Sequence, residues 1–416
     1  MNLKKRGLTA LLVAQFMGAA NDNILKAILG FAVIKEGMWA GRLGEGGQGL
    51  IALCLFVPFI LFSGWAGPFA DLHSKRSISV LMKWAEIPLA ITAGVGFATG
   101  IFWIAAIAMI LLATQSTFFS PAKYGMIPEI VPEENVAKAN GILNMTTNIS
   151  IIAGMLVAGI LSDQLKQRTV GINEWMPGIV LTSVAVVGLF AIIWLPKLKP
   201  INLLTKIPLN PFQTYITTGR EMCRGVLMKV AIAWACFYLL ATVVLLLVNE
   251  LGPLLKVSDT KVSYLLASIG VSVGLGSMTA GFISKGIVRL PLSKIAAIGM
   301  SLSVLFAGVM PVSYGAILGG LIALGFTAGL YAIPLQTLMQ VLPEAGNRGK
   351  VLATSNAISF LFMAIGSLLY WVFRPLFGDS PQYIFVVCAG IGILAWIVTL
   401  TIHLPSESND TMKAHG

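Results

Sequence analysis

The stretch "GPFADLHSKR", residues 67–76, joins two apolar runs and decides how the rest of the chain is read. Gly67 leaves room for a close helix neighbour. Asp71 follows four residues later, and Lys75 and Arg76 follow Asp71 at four and five. Helix ends carry unsatisfied backbone groups and partial charge. A carboxylate at such an end can therefore accept from the first amides of another helix or pair with a basic side chain. The spacing G-x-x-x-D-x-x-x-[KR]-[KR] thus describes a charged hinge between helices otherwise built for lipid.

The flanking composition agrees. Of 416 residues, 57% are hydrophobic and only 11% charged, with a mean hydropathy of +0.87. A soluble chain carries about 25% charged residues, so lipid is the solvent for much of this one. Apolar segments recur at 8–34, 49–70, 78–100, 102–122, 139–162, 176–196, 227–249, 262–284, 291–311, 313–340, 350–374 and 382–403. Each approaches or exceeds the ~20 residues that cross ~30 Å of hydrocarbon. The first follows Lys4, Lys5 and Arg6 as a signal peptide would, but it runs on to Ile34 and is read as a span. With an internal N-terminus, 20 Lys and Arg fall on the internal side and 7 on the external side. That bias places both termini in the cytoplasm.

Several function classes drop out. The net charge of +11 is spread over short loops rather than gathered into a patch, which argues against nucleic acid. Cys54, Cys223, Cys236 and Cys388 have neither metal nor redox spacing. No G-x-S-x-G, H-E-x-x-H or G-x-x-x-x-G-K-[ST] occurs. The chain is expected to be no enzyme, to use no cofactor or metal, and to lack direct ATP drive. His73, His403 and His415 lie at segment ends or in the tail, so the mid-helix histidine of a membrane-embedded lipid enzyme is missing.

The longest internal connection, Lys197 to Gly225, falls near the midpoint. It predicts a six-helix bundle over 1–196, a cytoplasmic linker with an interfacial helix over 197–226, and a second six-helix bundle over 227–416. A weak repeat supports two related halves: "VPEENVAKANGI" (131–142) and "LPEAGNRGKVLATSNAI" (342–358) align Asn140 with Asn356. Twelve spans, an internal N-terminus, a midpoint linker and the 67–76 loop together resemble the major facilitator superfamily. The resemblance implies an all-α integral membrane protein of two pseudo-symmetric six-helix bundles that rock around a central site. It also implies that Gly67, Asp71, Lys75 and Arg76 latch the cytoplasmic gate in the outward-facing state. The corresponding second-half loop, "GFISKGIVRLPLSK", has Lys285 in place of the Asp, so any latch there is degraded.

The polar residues inside the spans are the candidate site. "FMGAANDNILKAILGF" (16–31) sets Asn21, Asp22, Asn23 and Lys26 within the first helix. A charge at mid-bilayer costs about 2.5–3.5 kcal/mol on insertion scales. Asp22 and Lys26, one turn apart, can neutralise each other or line a pathway. In "SPAKYG" (120–125), Pro121 is expected to interrupt the fourth helix. Lys123 then sits at or just inside the internal boundary, either snorkelling to the surface or presenting a cation to a phosphate. Asn140, Asn144 and Asn148 form a stripe on the fifth helix beside Thr147; Asn140, nearest the helix end, reads as structural. Glu86 is expected to pair with Lys83 near the internal face. In the second half, 230–249, 262–284, 295–342 and 351–373 hold no Asp, Glu, Lys or Arg, and Ser268, Ser272, Gln336 and Gln340 supply neutral polarity. One polar half and one apolar half suit an amphiphile.

"DN" (22–23), "FFSPAKYG" (118–125) and "KANGI" (138–142) narrow the resemblance to the bacterial lysophospholipid transporters, including the transporter half of acyltransferase fusions. That resemblance implies movement of lysophospholipid to the inner leaflet of the cytoplasmic membrane, with Asp22, Asn23 and Lys123 in the substrate cavity. It implies a separate lysophospholipid acyltransferase as partner, and a monomer. Lys26 has no counterpart in the family pattern; it and the Asn144–Asn148 stripe join the candidate site on helix position alone. The alternative is a major facilitator exporter of another amphiphile or a drug-like compound.

Overall fold

The computed structural model describes residues 3–34, 36–132, 136–166, 173–195, 210–284, 288–343 and 348–403. Its elements are α1 (Leu3–Val33), α2 (Gln48–Leu72), α3 (Lys75–Thr99), α4 (Phe102–Ile130), α5 (Val136–Lys166), α6 (Met176–Ile193), α7 (Gln213–Cys223), α8 (Leu227–Asn249), α9 (Leu251–Leu255), α10 (Asp259–Ser284), α11 (Leu290–Val309), α12 (Tyr314–Val341), α13 (Arg348–Phe373) and α14 (Ile384–Leu400). No strand occurs among the described residues. Hydrocarbon offers no partner for backbone N–H and C=O groups, so each spanning segment satisfies them internally as a helix.

Among the described residues, eleven helices are both long and apolar enough to cross a membrane. α1, with 31 residues, is long enough, but its run from Asn21 to Lys26 dilutes it. Large apolar side chains such as Trp84, Val271, Leu302 and Leu361 are exposed at mid-helix, as lipid-facing residues must be. Short devices close the ends. Ser74 accepts from the Ser77 amide to start α3, Gly100 ends that helix at φ 70°, and Ser313 accepts from the Ala316 amide to start α12. A short helix, α7, lies within the predicted linker and packs on α13 and α8. Residues 196–209 of the linker lie outside the described residues.

Two expectations fail here. Pro121 does not interrupt the fourth helix. α4 runs through both Pro121 and Pro128 to Ile130, which leaves Lys123 about two turns inside the helix end. A membrane helix tolerates the lost N–H because neighbouring helices, hydroxyl side chains and small local adjustments can satisfy the freed carbonyl. Gly67 is not a close-packing glycine either, since a Cβ there would meet no atom within 4 Å. The tight approach lies one turn earlier. A Cβ on Gly64 would sit 1.9 Å from the carbonyl oxygen of Pro211.

By contact the chain divides into two compact units, Met1–Phe212 with Ser258–Ser263, and Gln213–Val257 with Tyr264–Gly416. In the first, α1 packs against α5 and α6, α3 against α4 and α6, and α2 against α4. The same unit holds the first turn of α10. Asp163, in the last turn of α5, accepts from the amides of Asp259 at 2.8 Å and Thr260 at 2.9 Å and from the Thr260 hydroxyl at 2.5 Å. Ser162 donates to Asp259 at 2.6 Å, and Lys166 pairs with the same carboxylate at 2.8 Å. One helix thus supplies the N-terminal cap of another. In the second unit α8 packs on α13 and α14, and α11 on α12 and α14. Buried Tyr331 donates to the Ala233 carbonyl at 2.8 Å, and Arg374 pairs with Glu250.

Candidate functional site

The polar residues of the first unit gather on α1, α3, α4 and α5. Three consecutive positions of α1 face three ways, because successive helical residues turn by about 100°. Asn21, fully buried, donates to Glu86 Oε1 on α3 at 2.8 Å. Asp22 accepts from the Ser116 hydroxyl on α4 at 2.7 Å. Asn23 donates back to the Ala19 carbonyl of its own helix at 2.8 Å.

Behind Asn21 lies a buried ion pair. Lys83 Nζ is 2.6 Å from Glu86 Oε2, and both side chains are 1% exposed. The expected pairing of these residues is present, but at about mid-length of α3 rather than near a membrane face. The Lys83 ammonium also lies 5.2 Å from the centre of the Phe119 ring. Gly18 makes space for it, since a Cβ at residue 18 would stand 2.3 Å from Lys83 Nζ. Across α1, a Cβ on Gly154 of α5 would come within 2.8 Å of the Ala20 carbonyl oxygen. Two glycines thus let α1 seat its polar turn against both neighbours.

The remaining cations are not consumed in this way. Lys26, one turn beyond Asp22, is partly buried and makes no hydrogen bond or ion pair among the described residues. The compact Asp22–Lys26 pair open to the sequence is thus not formed within 4.0 Å, although the two lie within electrostatic range. Lys123 faces aromatic rings, 6.0 Å from the centre of Phe119 and 5.1 Å from that of Tyr124. Its field also reaches Asp22. The Tyr124 hydroxyl donates to Asn144 Oδ1 at 3.2 Å, bringing α5 to the same region. Asn148, one turn on, is exposed. Gln15 donates to Thr147 at 2.9 Å and ties α1 to α5.

The geometry has a direction. Three spanning-length helices separate the starts of α1 and α4, so the two run antiparallel. Lys26 lies about 6 Å along α1 from Asp22, and Lys123 about 10 Å along α4 from Ser116, at 1.5 Å per residue. Each offset runs toward its own helix's C-terminus. The backbone therefore anchors one lysine on each side of the Asp22–Ser116 contact along the membrane normal. Such a site can hold an anion at either amine.

The 67–76 loop is used within the first unit. Lys75 pairs with Glu129 of α4 at 2.7 Å. Arg76 donates to the carbonyls of Leu195 at 2.7 Å and Ile193 at 2.9 Å, closing the C-terminal end of α6. The side chain of Asp71 lies outside the described residues. Sequence reasoning passed over Ser116, Phe119 and Tyr124. A lone hydroxyl or ring on an apolar helix carries no periodic signal, and only the fold puts these opposite Asp22 and Lys123.

The chain matches the sequence description "Major Facilitator Superfamily" over residues 11–367. The chain belongs to the Major Facilitator Superfamily. This facilitator is a multi-pass membrane transporter and not an enzyme. It is 26% identical over 368 residues to "Lysophospholipid transporter LplT" of Yersinia enterocolitica, covering 86% of this chain and 83% of the relative. It is also 26% identical over 417 residues to the protein of the same name from Photorhabdus laumondii, covering 96% and 95%. A solved structure of a POT family transporter in complex with 5-aminolevulinic acid superposes with a TM-score of 0.71 at 13% identity, covering 95% of each chain. That likeness bears on the fold of the facilitator alone.

Proposed function

We propose that this transporter carries lysophospholipid to the inner leaflet of a bacterial cytoplasmic membrane, with both termini in the cytoplasm. Two six-helix bundles would alternate access to a central site. Asp22, Asn23, Lys26, Lys123, Asn144 and Asn148 form the headgroup wall. The 67–76 loop, through Asp71, latches the cytoplasmic gate. A separate lysophospholipid acyltransferase would consume the delivered product. The observation that carries this reading is the bracketed carboxylate. One acidic and two basic groups stand inside membrane-length helices beside neutral polar side chains, which suits a headgroup bearing phosphate. The names of the relatives agree, and so do the second unit's stretches 230–249, 264–284, 295–342 and 351–373, which contain no charged residue.

An acyl tail makes a measurable difference. Each buried CH₂ contributes about 0.8 kcal/mol, or about fourfold in affinity. Purified protein titrated with lysophospholipids of increasing chain length should bind more tightly at each step until the cavity is full. The tailless glycerophosphodiester should hardly bind. Affinity independent of tail length, or tight binding of a sugar or peptide, would overturn the lipid reading.

A further inference from the structure

The charges inside the first unit do not cancel. Lys83 and Glu86 neutralise each other at 2.6 Å, and Asn21 takes the second carboxylate oxygen. Three ionisable groups of the proposed headgroup wall remain: Asp22, Lys26 and Lys123. Asp22 already accepts from Ser116. Among the described residues Lys26 makes no hydrogen bond or ion pair, and Lys123 makes none either, lying over the faces of Phe119 and Tyr124. Two cations thus share one carboxylate. The helix interiors of the second unit, 230–249, 264–284, 295–342 and 351–373, add no charge of either sign.

An unbalanced charge in a low-dielectric interior is costly, and a ligand of opposite net charge removes that cost. A headgroup with one phosphodiester and no amine brings a net charge of −1 and leaves the wall neutral. A zwitterionic headgroup brings no net charge. Its amine adds a third cation beside a carboxylate that already has a donor.

Resting on the lysophospholipid reading, we propose that the site selects anionic lysophospholipids over zwitterionic ones, and that Lys26 sets this preference. Lys26 is the residue that tips the balance, because without it Asp22 and Lys123 would match a zwitterion one to one. Lys26 is anchored about 6 Å along α1 from Asp22, on the side away from Lys123, so the two lysines approach a headgroup from opposite sides of the carboxylate.

The test compares lysophosphatidylglycerol with lysophosphatidylethanolamine of the same acyl chain, titrated against the purified full-length protein. The anionic lipid should bind at least about tenfold more tightly, a difference of one decade in Kd. Lys26→Gln should bring the ratio close to one by weakening the anionic lipid, and Lys26→Arg should keep it. Tailless glycerophosphoglycerol, run alongside, separates a lipid site from a free phosphodiester site. Equal binding of the two lipids by the unaltered protein overturns the proposal while leaving the lipid reading intact. So does a preference that survives Lys26→Gln. Binding of neither lipid, or of the tailless diester as tightly as its lipid, overturns the lipid reading and the selectivity with it.

Discussion

The buried pair of Lys83 and Glu86 invites a double-mutant test. Both side chains are 1% exposed, the N–O distance is 2.6 Å, and Asn21 donates to the other carboxylate oxygen. Removing one partner of such a pair strands a charge away from water, a loss of about 3–5 kcal/mol. Lys83→Met should therefore destabilise the protein by about that amount, and so should Glu86→Gln, which leaves the Lys83 ammonium without its carboxylate. Lys83→Met combined with Glu86→Gln removes both charges and keeps an amide oxygen for Asn21. It should be more stable than Lys83→Met alone, with a residual deficit of about 1–2 kcal/mol for the unmatched amide. The coupling between the sites should then be about 2 kcal/mol or more. Gly18→Ala gives an independent reading of the same geometry. Its Cβ would fall 2.3 Å from Lys83 Nζ, so it should destabilise the unaltered protein and be better tolerated beside Lys83→Met. Equilibrium unfolding in mixed micelles measures all of these. Single variants within about 1 kcal/mol of the parent, or strictly additive effects, would refute a mutually dependent buried network.

Other outcomes follow from the same coordinates. Lys123→Ala should abolish uptake and Lys123→Arg should retain part of it, because guanidinium offers a cation of different shape; full uptake by the Ala variant in reconstituted vesicles would make Lys123 a packing residue. Because Asp22 bonds Ser116 rather than Lys26, Asp22→Asn with Lys26→Gln should not recover transport, and recovery in a flux assay would restore the self-neutralising pair. Asp163→Ala removes the acceptor of two amides and a hydroxyl at the start of α10 and should lose about 1–2 kcal/mol of stability, with Asp163→Asn falling between; unchanged unfolding would show that the cap contributes nothing. Asp71→Asn should raise the accessibility of cysteines introduced from the cytoplasmic side without loss of folded protein, and unchanged accessibility would leave Asp71 an ordinary helix-end charge.

The helices were legible because length and hydropathy are local properties. The predicted span 227–249 coincides with α8, and 291–311 differs from α11 by one or two residues at each end. What sequence missed depends on facing. Asn21, Asp22 and Asn23 are adjacent in sequence but bond to α3, α4 and their own helix respectively. No one-dimensional pattern tells which of three residues turned by about 100° meets which neighbour. Pro121 was misread because proline is weighed against water, whereas α4 sits in a membrane bundle. The cap of α10 by Asp163 joins residues 96 and 97 positions apart, a pairing made by topology alone. Gly67 fits the loop pattern, yet the close approach belongs to Gly64.

The central claim is that the bracketed carboxylate serves a lysophospholipid headgroup during transport. The most direct measurement is the movement of a labelled lysophospholipid between the leaflets of vesicles containing the purified protein, with Lys123→Ala and Asp22→Asn alongside. Rapid redistribution by the parent protein, reduced to the protein-free rate in both variants, is the predicted result. Redistribution no faster than in empty vesicles, or equally fast in the parent and both variants, would contradict the account.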